Sequence, residues 1–269
     1  MSDPKYFSGK TVIVTGGASG IGLGLCEVLE GRGAIVYAAD TNAQRLDEIA
    51  DGPGNIRPLA LDVSKEDNFL KAIEHVVREH GKLDILVNNA GIALAGDFSE
   101  TPVSDIEKIV AVNFWSVIHG TRMAYAQMIE QGYGHIVNVS SSGGAMPVPK
   151  QAMYSAIKHG VLGFSHSLRE EAVHHGVKVS TVLPGMVQSD LWENAVNIKS
   201  YDMKRSMEST GLKPITQREA GEAIADGIAA NHRSIIFPRI NGIILALYRF
   251  FPNLMTRLVV TPLAAPEKT

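Results

Sequence analysis

Thr11-Val12-Ile13-Val14-Thr15-Gly16-Gly17-Ala18-Ser19-Gly20-Ile21-Gly22 passes from an apolar run into a glycine-rich turn, after which apolar residues return at helical spacing through Leu29. The stretch predicts strand, turn, helix. Gly16, Gly20 and Gly22 let the backbone turn sharply and approach a pyrophosphate, which would rest on the free N–H groups where the helix begins, around Ser19, Gly20, Ile21 and Gly22. A purely structural turn would use the same glycines. What separates the two is a second strand, Ala34 to Ala39, ending in Asp40, 24 residues beyond Gly16. That is close to the spacing at which a carboxylate takes both ribose hydroxyls of a dinucleotide.

Working outward, the alternation of strands and helices continues. Ile56 to Leu61 is a third strand, and the Asp62-Val63 that follows meets either the adenine end of a cofactor or the start of a helix capped near Ser64. Leu83 to Val87 is a fourth strand, broken at Asn88-Asn89-Ala90-Gly91; a loop at the carboxyl end of a buried strand is a natural cofactor wall. Ser104-Asp105-Ile106-Glu107 has the form of a capping box opening a long helix, and Asn113 interrupts that helix's apolar stripe. A buried amide needs partners, so Asn113 serves a backbone kink or holds a water. Further strands follow at Ile136 to Val139, Val177 to Leu183 and Ser234 to Phe237, and Thr216-Gln217-Arg218-Glu219 is a second capping box. Parallel strands need helical crossovers, so the chain predicts a single doubly wound α/β domain with a seven-stranded, mostly parallel sheet and helices on both faces.

The chemistry is expected at Tyr154 and Lys158, one helical turn apart on one side of a helix. A free tyrosine titrates near 10, so deprotonation at neutrality needs roughly 4 kcal/mol of help, which a nearby ammonium can supply in part. Ser141, 13 residues before Tyr154 in Ser140-Ser141-Ser142-Gly143-Gly144, can turn its hydroxyl toward the phenol.

Composition sets the limits. With 269 residues, 45% apolar and 20% charged, the chain can bury a large core as one domain. A net charge of −3 gives no footprint for nucleic acid. The single cysteine, Cys26, lies in an apolar run and reads as a packed thiol, no metal-ligand set stands out, and the first residues show no leader pattern. A reducing, cytoplasmic location is expected. Met186 to Leu212 has poor periodicity with Trp192 and Tyr201, and reads as an apolar substrate lid over residues 186–212. The extension 239–269 is apolar, yet Arg249 and Pro252 cut it well short of the ~20 residues a bilayer span needs. It must cover a pocket, a sister subunit or a membrane surface; Leu245, Phe250, Phe251 and Leu254 are expected to close the pocket or meet the sister subunit.

Thr15-Gly16-x-x-x-Gly20-x-Gly22, Asn88-Asn89-Ala90-Gly91, Asn113, Ser141, Tyr154-x-x-x-Lys158 and Pro184-Gly185 stand in the order of the short-chain dehydrogenase/reductase family, which the chain resembles over residues 10–238. The resemblance implies a Rossmann-like fold and a nicotinamide cofactor. It implies that Tyr154 is the acid/base, Ser141 orients the substrate oxygen, Lys158 binds the nicotinamide ribose and lowers the tyrosine pKa, and Asn113 holds a relay water. By the same likeness Asp62, Val63, Asn89, Ala90, Gly91, Pro184, Gly185 and Val187 join the cofactor site, and Ser189 stands where many members have threonine facing the nicotinamide amide. The substrate is then a small alcohol or carbonyl compound, and a homodimer or homotetramer is usual. Asp40 would repel a 2′-phosphate, Gly17 replaces a basic residue common in NADP users, and only Arg45 could compensate, so NAD is the expected cofactor. A sugar-nucleotide epimerase or dehydratase and a non-catalytic nucleotide-binding protein are the alternatives.

Overall fold

The computed structural model describes residues 5–199, 201–209 and 213–260. The remaining parts of the expected lid and extension, 200, 210–212 and 261–269, lie outside the described residues. Seven strands, β1 (Thr11–Thr15), β2 (Ile35–Asp40), β3 (Arg57–Ala60), β4 (Ile85–Asn88), β6 (Gly134–Val139), β7 (Val177–Pro184) and β9 (Ser234–Phe237), form one sheet in the order β3-β2-β1-β4-β6-β7-β9, every neighbouring pair parallel. A separate parallel pair joins β5 (Leu94–Ala95) to β8 (Val196–Asn197), so the middle of the expected lid is tied to the loop after β4. The fold is the doubly wound one.

Successive residues of β1 show why both faces must be covered: Val12 and Val14 pack into one core and Ile13 into the other. The first core is closed by α1 (Gly20–Gly31) and α8 (Gln217–Ala229) through Leu25, Leu29, Ile224 and Ile228; the second by α3 (Glu66–His80), α5 (Ser116–Gln131) and α6 (Ala152–Ala172) through Phe69, Ile73, Met128 and Leu168. A polar seam crosses this second layer. Asn88 Nδ2 donates to Asn138 Oδ1 (2.8 Å) and Thr121 Oγ1 (3.1 Å), and Asn138 Nδ2 donates to Ser165 Oγ (2.9 Å), all four residues buried. With α2 (Ala43–Ala50), α4 (Val103–Val110) and α7 (Met203–Ser209), the helices alternate with the strands throughout.

Helix starts show where local pattern and structure part. The Thr216 box closes as expected: Glu219 N donates to Thr216 Oγ1 and Thr216 N to Glu219 Oε2. The Ser104 box does not form. Extended Pro102 precedes α4, the helix begins at Val103, and Ser104 falls inside it. Ser64 is not a cap either, because both its N–H and its hydroxyl donate to Asp62 Oδ1 and α3 begins only at Glu66. Between α4 and α5, residues Ala111–Trp115 form a π turn in which Ser116 N donates to Ala111 O, five positions back.

After β9 the chain forms α9 (Arg239–Phe250), the short α10 (Pro252–Met255) and a second π turn to Val260. Leu245 and Val260 pack on Met146 and Leu183. Phe250, Phe251 and Leu254 instead face solvent, so of the four tail residues expected to close a pocket or meet a sister subunit, only Leu245 turns inward. No helix among the described residues is long and apolar enough to cross a membrane.

Candidate active site

The strand order reverses between β1 and β4, and their carboxyl ends open a crevice. Gly16 lies at its floor with φ +64°, and a Cβ there would come within 2.9 Å of Ala90 Cα. A Cβ on Gly22 would meet Gly16 O at 2.0 Å, so α1 can start against the turn only with glycine. Thr15 ties the two strand ends together: its Oγ1 accepts from Asn89 N and Ala90 N (3.0 Å each) and donates to Val87 O. The Asn89 amide donates to Thr15 O (2.9 Å), so it shapes the wall from within. Sequence reasoning quoted Thr15 without giving it work; its place as the last residue of a strand running into glycine was the available signal.

Asp40 ends β2 half-exposed, its Oδ1 accepting from Thr41 N (2.8 Å) and Asn42 N (3.1 Å) and its Oδ2 from Ala18 N (3.3 Å). The carboxylate is therefore aimed at the glycine loop. Arg45, the one cation considered able to offset it, instead pairs with Asp190 at 2.7 Å. Asp62 is held by Ser64, and Val63 is buried beside it. From β7, Pro184 and Gly185 lead over the crevice, with Gly185 N donating to Phe237 O (2.8 Å) and Val187 bridging to Ile215. Ser189 then comes so close to the loop that a Cβ on Gly20 would stand 3.1 Å from its own Cβ. The cofactor candidates from β1, β2, β4 and β7 thus ring one crevice.

The acid/base candidates sit at the ends of β6 and the start of α6. Ser141 precedes a tight turn, Ser142–Gly144; its Oγ accepts from Gly143 N (3.1 Å) and lies close enough to the Tyr154 phenol to favour its deprotonation. Ser140 points the other way, donating to Lys158 O (2.7 Å), and Ser155 donates to Gly143 O. The serine loop and the first turns of α6 are thereby cross-tied. Lys158 is 4% exposed, donates to Val139 O (2.9 Å) and lies 5.7 Å from the Tyr154 ring centroid. Asn113 is fully buried in the π turn, where Oδ1 accepts from Ile92 N and Nδ2 donates to Ile92 O, both 2.8 Å. Its amide therefore clamps the loop after Gly91 and accompanies a backbone kink.

The electrostatics correct one expectation. Burial pushes the Tyr154 phenol above its ordinary 10, with the Ser141 hydrogen bond working against the rise, and burial pulls Lys158 down to about 8. The lysine was expected to lower the phenol. Here desolvation wins, and the ammonium is engaged by the Val139 carbonyl. At neutral pH the pair is a neutral phenol beside a charged ammonium.

A cavity of about 400 Å³ lies elsewhere, between Ala34, Ala50, Ile56 and Pro58 at the opposite end of β2 and β3, and brings no acid/base pair. Among the described residues no three His, Cys, Asp or Glu side chains converge as a metal site.

Comparison with known proteins bears on the family and the fold. The family model described as short chain dehydrogenase matches residues 10–199. The chain is 33% identical over 238 residues to the putative oxidoreductase SadH of Mycobacterium tuberculosis, covering 86% of each. It is 35% identical over 189 residues to the 3-oxoacyl-[acyl-carrier-protein] reductase FabG of Thermotoga maritima, covering 69% of this chain and 77% of that one. A short-chain dehydrogenase/reductase from Burkholderia phymatum, crystallised in complex with NAD, superposes with a TM-score of 0.83 at 22% identity over 93% of this chain and 96% of that one.

Proposed function

The chain belongs to the short-chain dehydrogenase family, and on that premise we propose that it is an NAD-dependent oxidoreductase acting on a secondary alcohol or ketone, with Tyr154 as its proton donor and acceptor. The observation that carries the reading is the convergence of the Ser141 hydroxyl, the Tyr154 phenol and the buried Lys158 ammonium beside a glycine cradle that a single Cβ would fill. In that cradle Gly16, Gly20 and Gly22 would admit a pyrophosphate, Asp40 would accept from ribose hydroxyls, and Lys158 would reach the nicotinamide ribose. The nicotinamide, when bound, supplies the hydride acceptor or donor; what the chain supplies is the proton.

In the reductive direction Tyr154, a neutral phenol at pH 7, gives its proton to the carbonyl oxygen while Ser141 donates a second hydrogen bond where negative charge gathers. Alcohol oxidation reverses this and requires the phenol to lose its proton first, so its rate climbs with pH. The Asn113 amide is engaged with Ile92, so a relay water at this point would depend on main-chain carbonyls of the π turn. The described part of the lid, residues 186–199 and 201–209, would cover the substrate side. Leu191, Trp192, Tyr201 and Met207 pack around Ala93, Ala95 and Met203, which favours an apolar substrate.

NAD rather than NADP follows from charge. A 2′-phosphate of about −2 at roughly 5 Å from Asp40 meets ~6 kcal/mol of repulsion at an effective dielectric near 20, and screening leaves enough for a hundredfold preference. Arg45 is held by Asp190 and gives no offset.

The test is steady-state kinetics with a panel of secondary alcohols and ketones. Expected are kcat/KM about a hundredfold higher with NAD than with NADP, and in Tyr154→Phe a kcat lower by roughly 10²–10⁴ with NAD affinity little changed. Comparable turnover in the variant ends the Tyr154 assignment, and equal use of NADP ends the charge argument.

A further inference from the structure

Beyond Phe237 the chain has two apolar faces. The inner one, through Leu245 and Val260, is packed on Met146 and Leu183. The outer one carries Ile240, Ile243, Leu247 and Phe250, spaced by threes and fours on one face of α9, followed beyond it by Leu254 and Leu258, and all are exposed, Phe250 to 75%. Beyond the break at Phe251, Leu254 and Leu258 are 54% and 64% exposed. Six large exposed apolar side chains between residues 240 and 258 exceed the scatter normal for a protein surface.

Charge identifies what the stripe fits. From residue 227 to 266 the sequence has four arginines and no Asp or Glu, in a chain with 25 basic and 28 acidic residues, so this segment holds +4 and the remainder −7. Arg233 is paired with Glu170. Arg239, Arg249 and Arg257 are exposed and have no ion-pair partner among the described residues. The segment that carries the apolar residues is therefore cationic and free of carboxylates. A two-fold contact with a second copy would lay this acid-free face on itself, bringing arginines toward arginines with no carboxylate of the segment to answer them. An anionic lipid surface answers both features: phosphates for the arginines, and the headgroup–acyl boundary for the apolar residues.

We propose that the outer face of residues 239–258 docks the protein on anionic phospholipid membranes, lying in the interface rather than crossing it. The 12-residue α9 is of the right kind for this, apolar on the outside and flanked by cations.

The experiment is flotation of the full chain with vesicles of phosphatidylcholine alone or of phosphatidylcholine mixed with phosphatidylglycerol, at low and high salt. The protein should float with the anionic vesicles, fail to float with the neutral ones, and be released several-fold by salt. Two variants separate the contributions, Phe250→Ser with Leu254→Ser for the stripe and Arg249→Glu with Arg257→Glu for the charge. Each should reduce the floated fraction about tenfold or more while melting as the wild type does, because all four side chains are exposed. Absence of flotation with anionic vesicles overturns the proposal, as does flotation unchanged in both variants. It is also overturned if the wild type is an oligomer without lipid whose segment 239–258 is protected from hydrogen exchange and whose stripe variant falls to monomers, for the face is then a subunit interface.

Discussion

At the carboxyl ends of the strands, polar side chains are engaged one by one with backbone: Thr15 with Asn89 and Ala90, Asn113 with Ile92, Lys158 with Val139. Along the outer face of residues 239–258, six large apolar side chains stand in solvent with nothing of this chain against them to the same degree. The contrast separates two kinds of surface. In the first, a hydroxyl or amide is fixed to within hydrogen-bond tolerance because an unpaired partner would be costly, so each residue type is dictated. In the second, shape is set from the inner side alone, and the outer side answers to something outside the molecule.

The largest break in that contrast should come from Lys158→Met. It removes the ammonium and its bond to Val139 O, and kcat should fall roughly a thousandfold with a raised KM for NAD, measured in the same steady-state assay. Thr15→Val keeps the shape but leaves Asn89 N and Ala90 N without an acceptor. A loss of about 3 kcal/mol in denaturant unfolding is expected, and a loss under ~1 kcal/mol would show that water replaces the hydroxyl.

His135, at the other end of the sheet on β6, extends the comparison to a polar group that is only partly answered. Ser180 Oγ donates to His232 O, so the ring must donate from Nε2 to Ser180 (2.9 Å), and buried Nδ1 has no partner. Burial, aided by Lys178, Arg169 and Lys10, pulls its pKa from 6.5 to about 3. The folded state therefore keeps the ring neutral while the unfolded chain takes up a proton below pH 6.5. The stability its neutrality provides is complete above pH 6.5 and declines as pH falls toward 3, by about 2 kcal/mol at pH 5. Urea unfolding across that range should show this slope in the wild type and lose it in His135→Gln. The smallest effect belongs to the tail: Phe251→Ser should move unfolding in lipid-free buffer by no more than about 0.5 kcal/mol, and a larger change would mean that the outer face is packed in solution.

Much of the first surface was legible in the sequence. The last strand, Ser234 to Phe237, falls where its apolar run predicts, and the glycine loop, the serine loop and Tyr154 with Lys158 meet at one end of the sheet as their order implied. What escaped was long-range or depended on burial. Arg45 and Asp190 are 145 positions apart, and no local pattern joins them. The clamp of Asn113 on Ile92 spans 21 positions and required the π turn to aim it. The direction of the Tyr154 shift could not be read from spacing, because spacing reports the neighbouring cation and not the water excluded around both groups. Ser64 and Ser104 failed as caps for a local reason: Asp62 offered a nearer acceptor to the first, and Pro102 began the helix two residues too early for the second.

The π turn at Ala111–Trp115 also sets a rule about chain length. A turn that closes over five residues instead of four inserts one extra residue into an otherwise continuous rod, which rotates everything before it by about 100° relative to everything after it. An in-frame deletion of a single codon here would heal into a smooth helix with ordinary composition. It would look harmless by residue type, yet it would swing either the Ile92 clamp or the α5 face out of phase with the sheet, so heritable variation in this protein should tolerate exchange at the neighbouring exposed positions far better than loss of one.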